Sequence, residues 1–284
     1  MKQKKSDFAR AASRSAIALA TGCLMYAGAA HADRLDTIKA RGKLICGTQN
    51  ASAPYAYQDP KTRSYIGYDV DMCTALAKGL GVKLEHKPLS TEARIPELKM
   101  GRVDVIAGSM AYLPKRAEQV DYSLQYLQDD IRVLVKQKSG IKSLADLAGK
   151  KICATNGSST AAVAAKVLNK SQLLTFQAVT SCYMALQSEK VDGLPGGELG
   201  LIRFQIQSEK AGDPTVLLKQ PIFTERMGLV VNKHNPELLA AINKVIQHMD
   251  RDGELDAIYN KWLGSGSIYK LKRTFKVEPV ALGQ

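Results

Sequence analysis

Apolar and polar positions change period several times along the chain. "KLICGT" (Lys43–Thr48) is a short β-type run that gives way to a polar loop holding Pro54. In the next stretch Met72, Cys73, Leu76, Ala77 and Leu80 recur at the spacing of one helix face, and Gly81 supplies a C-terminal stop. "VKLEHKPL" (82–89) reads as a strand. "ARIPELKMGRVDVIAG" (93–108) then reads as a short helix, a Gly stop and a buried strand, "VDVIAG". The order strand–helix–strand–helix–strand predicts a parallel α/β sheet.

The pattern then starts again. "DDIRVLVK" (129–136) is a strand, and residues 143–168 read as helix, strand, Gly–Ser loop and helix. "LLTFQAV" (173–179) is a strand. "SCYMALQSEKVDGLPGG" (181–197) repeats the earlier order of helix, turn, "VD" and strand. "MGLVVNK" (227–233) is one more strand, and two amphipathic helices follow over 236–253 and 254–264. Two similar α/β halves are therefore expected, with no low-complexity linker between them.

Asp69 and Asp71, one residue apart, invite a metal or acid/base reading. They lie where a loop becomes the first long helix, so the expectation is capping: a side-chain oxygen accepts backbone N–H groups, and acids in the first turn complement the helix dipole. Only four histidines are present and the cysteines lack C-x-x-C spacing. No metal and no cofactor are expected.

Residues 1–32 change the picture of where the chain works. A basic start (Lys2, Lys4, Lys5, Arg10, Arg14), an uncharged run over 16–30 and "AHA" before Asp33 have the layout of a secretory signal, with cleavage expected after Ala32. The uncharged run is too short to span a bilayer. Cys23 is a poor match to a lipid-modification site. Five of the 40 basic and one of the 27 acidic residues lie in 1–32, so the remaining 252 residues carry 35 against 26, a formal charge of +9. In an exported protein without interleaved basic and aromatic clusters, that surplus points to anionic solutes or acidic membrane partners rather than nucleic acid. Cys46, Cys73, Cys153 and Cys182 make an even set for an oxidising compartment, so two disulfides are expected, with three possible pairings.

Five motifs occur in a fixed order: "GYDVDMCTALAKGLG" (67–81), "RIPELKMGRVDVIAG" (94–108), "LPKRAEQVDYS" (113–123), "LADLAGKKICATNGSS" (144–159) and "DGELDAIYNKWLG" (252–264). Together the chain resembles the bacterial extracellular solute-binding proteins of family 3, receptors for polar amino acids that feed ABC importers. The resemblance implies a type II periplasmic-binding-protein fold, two α/β lobes joined by two crossover strands and closing on a small ligand. It places lobe 1 at 33–127 plus 228–270, lobe 2 at 132–222, the crossovers near Gln128–Ile131 and Phe223–Met227, and a tail over 271–284. It also suggests Cys46–Cys73 and Cys153–Cys182, each within one lobe. A periplasmic monomer is implied, with a small-molecule ligand and a membrane ABC permease as partners, and no catalytic constellation.

Site residues carry over by position. Arg116 matches the arginine that grips a ligand carboxylate through two parallel hydrogen bonds, and Ser109 a residue whose backbone faces the ligand. Gly157, Ser158 and Ser159 match an anion-holding loop at a helix N-terminus. Tyr55, Tyr57 and Tyr112 offer stacking surface. The cation-holding side departs from the family: Gly197 stands where an aspartate is common, Ala111 for a hydroxyl, Gln49 for an acid, Ser52 for an aromatic and Thr91 for another. Either Glu198, one residue along, reaches in as a substitute, or the ligand is not an ordinary α-amino acid; Glu198 is also the acid that a dehydratase on the same fold would need. A sensor that docks on a membrane receptor is a further reading.

Overall fold

The computed structural model describes residues 33–281. The expected leader over 1–32, with Cys23 and the cleavage after Ala32, and the last three residues of the tail lie outside these. In chain order the elements begin with α1 (Arg34–Arg41), β1 (Lys43–Gln49), β2 (Ala51–Ser52), β3 (Ala56–Gln58), β4 (Tyr65–Ile66), α2 (Tyr68–Gly79), β5 (Lys83–Leu89), α3 (Arg94–Lys99), β6 (Val105–Ile106), α4 (Pro114–Ala117) and β7 (Val120–Lys136). They continue with β8 (Lys151–Thr155), α5 (Ser159–Val167), β9 (Gln172–Phe176), α6 (Val179–Gln187), β10 (Gly193–Gly197), α7 (Glu198–Lys210), β11 (Thr215–Leu217), β12 (Phe223–Asn232), α8 (Pro236–Arg251) and α9 (Glu254–Leu263).

Nine strands form one sheet in the order β5-β1-β6-β12-β7-β10-β8-β9, with β11 also on β7. At either end the pairing is parallel: β1 with β5 and β6, and β8 with β9 and β10. In the middle, β7 and β12 run antiparallel from Phe223 opposite Ile131 to Asn232 opposite Val120, with an irregularity around Gly228. This is the two-lobed architecture: two α/β layers joined by a two-stranded ribbon. Apolar side chains gather accordingly. Leu44, Met72, Leu76, Leu229 and Ile242 share one core, and Ile131, Val133, Leu147 and Ile152 another. Each disulfide ties a strand to a helix, Cys46 on β1 to Cys73 on α2 and Cys153 on β8 to Cys182 on α6.

Asp69 and Asp71 lie in the first turn of α2 as expected, but the expected side-chain cap is corrected. The residue before α2 is Gly67, with φ 142° and no side-chain cap. A Cβ there would lie 2.2 Å from the Tyr55 carbonyl oxygen, so this close approach needs glycine. The approach lets loop carbonyls take the first orphan amides: Tyr68 N–H donates to Pro54 O at 3.0 Å and Asp69 N–H to Tyr55 O at 2.8 Å. Asp69 is instead fully buried, and Tyr126 donates its hydroxyl to it at 2.6 Å. Asp71 accepts from Lys261 and Trp262 of α9, each at 2.6 Å. Other expectations needed extension: β7 runs unbroken through 17 residues, and α7 was not anticipated.

The tail does not dangle. Tyr269, Phe275 and Val277 join the core around Met72 and Ile242. Arg273 pairs with Asp250 at 2.7 Å and Asp256 at 2.6 Å. Beyond them, Gln125 N–H donates to Glu278 O at 2.8 Å, Arg226 pairs with Glu278 at 3.5 Å, and Leu124 bridges to Pro279. The segment thus straps both strands of the central ribbon.

Candidate functional site

Between the two halves, at the ribbon, lies a cleft of about 1010 Å³. The C-terminal ends of β1 and β8 open onto it, the usual place for a ligand in a parallel α/β sheet. Arg94, Ser109 and the tyrosines Tyr55, Tyr57 and Tyr65 face it from one side. Ser158, Ser159, Gly197 and Arg203 face it from the other, and Glu225 of β12 from the floor. Across the rim, Asn156 donates its amide to Glu92.

Arg94 and the start of α5 meet the cleft from opposite sides. Ser158 caps α5, accepting from Ala161 N–H at 3.1 Å and donating to Thr155 O at 2.6 Å, so its hydroxyl is engaged. Ser159, the next residue, is buried against the cleft. Arg94 is buried and spends Nε on Thr91 O at 3.1 Å and one terminal nitrogen on Gly108 O at 2.5 Å. Burial, with Arg116 nearby, lowers it to about 10, still charged at neutral pH. Arg94 was not singled out by sequence: in "ARIPELK" it reads as a surface residue of a short helix, and only its place behind the loop after β6 turns it inward.

The carried-over residues divide. Gln49, Ser109, Tyr55, Ser158, Ser159 and Gly197 line the cleft, whereas Arg116, Ala111, Gly157 and Glu198 do not. Arg116 is buried outside the cleft lining, donating to Ala111 O at 2.7 Å, and the Tyr122 hydroxyl donates to the same carbonyl at 2.9 Å. Ser109, at φ 45°, gives its N–H to the Tyr126 hydroxyl at 3.0 Å, and Gln49 donates to Ser109 Oγ at 2.7 Å. Glu198 is drawn off by Arg132, at 3.0 Å. Tyr57 lies under Arg203, 5.1 Å from its ring centre.

Glu225 is the carboxylate of the lining among the described residues, against Arg94, Arg203 and Lys210. Burial pushes it up to about 6, while the Ser159 hydroxyl, Arg116 and Arg94 pull it down. Its Oε1 has no hydrogen-bond partner. Directly opposite on β7 is Asp129, bonded by the Tyr55 hydroxyl and raised well above the carboxylate range by burial, with Glu225 adding to the shift. Sequence reasoning missed both. The pairing of residues 96 positions apart is set by strand register, which no local pattern announces.

The profile of the bacterial extracellular solute-binding proteins, family 3, matches residues 44–265. The ABC transporter glutamine-binding protein GlnH of Bacillus subtilis (strain 168) is 28% identical over 235 residues, covering 81% of this chain and 85% of that one. The L-cystine-binding protein TcyJ of Escherichia coli (strain K12) is 26% identical over 233 residues, 81% and 86% of the two chains. Among solved structures, an ancestral arginine-binding protein bound to arginine is 34% identical with TM-score 0.74, covering 79% of this chain and 99% of that one. An ancestral amino acid-binding protein described as a precursor of cyclohexadienyl dehydratase is 30% identical with TM-score 0.73, covering 81% and 100%.

Proposed function

This chain belongs to the bacterial extracellular solute-binding proteins, family 3, and from that premise we propose that it captures a carboxylate-bearing solute, an amino acid or close relative, between its lobes for delivery to an ABC permease. The observation that carries the reading is the composition of the cleft. It lies between two lobes joined by a two-stranded ribbon and offers a buried arginine from one side, a helix N-terminus from the other and a buried carboxylate on the floor. A zwitterion has the complementary pair of charges. Lobe 1 is taken as 33–127 plus 228–270 and lobe 2 as 132–222. The ribbon contacts at Leu127–Ile131 and Phe223–Met227 are consistent with bending there.

With three cationic groups against one carboxylate in the lining, the side chain favoured is neutral or acidic; a guanidinium or a second ammonium would meet like charge. Export to the periplasm, with the leader removed, and a monomeric state complete the proposal.

A thermal-shift screen of the standard L-amino acids, L-cystine and small organic acids tests it. A ligand at 100 times its Kd adds about 2.7 kcal/mol to stability. Shifts confined to neutral and acidic amino acids are expected; no shift with any of them sinks the reading. The enzymatic alternative would find its acid in Glu225 rather than Glu198. Product formed from a cyclic acid such as prephenate would establish it.

A further inference from the structure

Glu225 and Asp129 are register partners on the two strands of the ribbon. Directly opposed residues of antiparallel strands share a face, with Cβ atoms about 4.5–5.5 Å apart. Both side chains are more than nine-tenths buried. Asp129 is held in place by the Tyr55 hydroxyl and, at 3.4 Å, by Leu199 N–H. Glu225 is not so satisfied: Oε1 is shut from solvent, lacks a partner, and belongs to a residue lining the cleft. Neighbouring arginines do not fill the gap. Arg94 gives hydrogen bonds to Thr91 and Gly108, and Arg116 to Ala111. A buried carboxylate oxygen without a donor is costly, and a donor arriving with the ligand relieves it.

Gly197 shows that this arrangement is spatially exclusive. A Cβ on residue 197 would come within 2.3 Å of Asp129 Oδ2 and 3.0 Å of the Tyr55 hydroxyl. The room an acidic side chain at 197 would occupy is therefore filled from the neighbouring strand. Glu198, paired with Arg132, does not line the cleft.

We infer that Asp129 and Glu225, with Tyr55 and the bare backbone of Gly197, form the cradle for the ammonium group of the bound solute, an inference that rests on the amino-acid reading above. Opposed carboxylates at this depth resist double ionisation, so the empty pair retains a proton. The groups that bear on that proton are Arg94 on α3, Arg116 on α4, Ser159 at the start of α5, Glu198 on α7, Tyr55, and Tyr259 and Tyr269 from the C-terminal segment. An ammonium donating to both carboxylates replaces that proton, which passes to solvent. Binding of an amino acid then releases protons, whereas binding of its deaminated counterpart does not.

The test takes the amino acid with the largest shift in the screen and that molecule's deaminated analogue (glutarate for L-glutamate, 4-carbamoylbutanoate for L-glutamine). Both are titrated calorimetrically into the wild type in buffers of different ionisation enthalpy near pH 6.5, and into Asp129→Asn and Glu225→Gln. Proton release with the amino acid alone is expected, and each variant should lose at least about tenfold in affinity for it. The analogue should change by less than about threefold. Equal affinity of wild type and variants for the amino acid, or no proton release in the wild type, overturns the cradle while leaving solute capture standing. A wild type that prefers the analogue also overturns it. A wild type that binds neither molecule removes the amino-acid reading and the cradle with it. The wild-type proton count decides even where a variant fails to fold.

Discussion

Two buried aspartates each accept a tyrosine hydroxyl, Asp69 from Tyr126 and Asp129 from Tyr55, yet they sit in different company. Asp69 is enclosed at the start of α2 and does not face the cleft. Burial raises it to about 7, and the Tyr126 bond, Arg94 and the Ser109 amide draw it back down. Its tyrosine also receives the Ser109 N–H, so the pair braces the loop that shapes the cleft wall. Asp129 has a second carboxylate opposite it instead of a cation, and that second carboxylate opens on the cleft. The same Asp–Tyr contact is thus scaffold in one place and half of a candidate site in the other. What differs is the sign of the nearest charge and whether the carboxylate belongs to a residue that lines the cleft.

Arg94 touches both environments and gives the hardest test of the contrast. Arg94→Ala should cost about 2–5 kcal/mol of affinity for a carboxylate ligand, as expected for a buried charge partner. It should also push Asp69 and Glu225 further up. Arg116→Ala should cost less, because Arg116 is spent on Ala111. Calorimetry that ranks the two the other way would show that the working site forms around Arg116. The next effect is in stability. Asp69 holds its proton up to about pH 7 in the folded chain, against an ordinary value of 3.8. The folded state therefore binds more protons than the unfolded one between those values. Stability from this group is fully present below about pH 4 and is lost as pH rises through 7, by about 4 kcal/mol. Urea melts at several pH values should show that slope, flattened in Asp69→Asn with ligand affinity retained.

The tyrosines separate the two roles more finely. Tyr126→Phe should lower stability by about 1–2 kcal/mol, since a buried acceptor loses its donor. Tyr55→Phe should act on amino-acid affinity by a similar amount. A Tyr126→Phe protein of normal stability but poor affinity would erase the distinction. Smallest is Lys210→Gln, a lysine on an open wall of the cleft, expected to change affinity by less than about 1 kcal/mol and to matter less at high salt.

Much of the frame was legible because period is a local property. Met72, Cys73, Leu76, Ala77 and Leu80 announced α2, and the β-rich runs around it announced a parallel sheet. The direction of Asp69 was not legible. Its side chain is placed by Gly67 pressing against Tyr55, which frees Asp69 from the capping duty its position suggested. Glu198 looked available because sequence distance to Gly197 is one, but helix geometry and Arg132 turn it away. Asp129 and Glu225 read as unremarkable strand acids, since only register brings them opposite each other.

The C-terminal strap has a mechanical meaning. Its residues are anchored in one core by Tyr269 and Phe275, while Glu278 and Pro279 grip Gln125, Arg226 and Leu124 on the two strands that must bend for the lobes to meet. Such a segment behaves as a leaf spring laid along a joint: any angle other than the one it was fitted to strains its grip. If capture proceeds by the closure proposed, the fraction of time the empty protein spends shut would be set partly by residues that never see the solute, and apparent affinity would scale with that fraction. Loosening the strap would retune capture without touching a single group in the cleft.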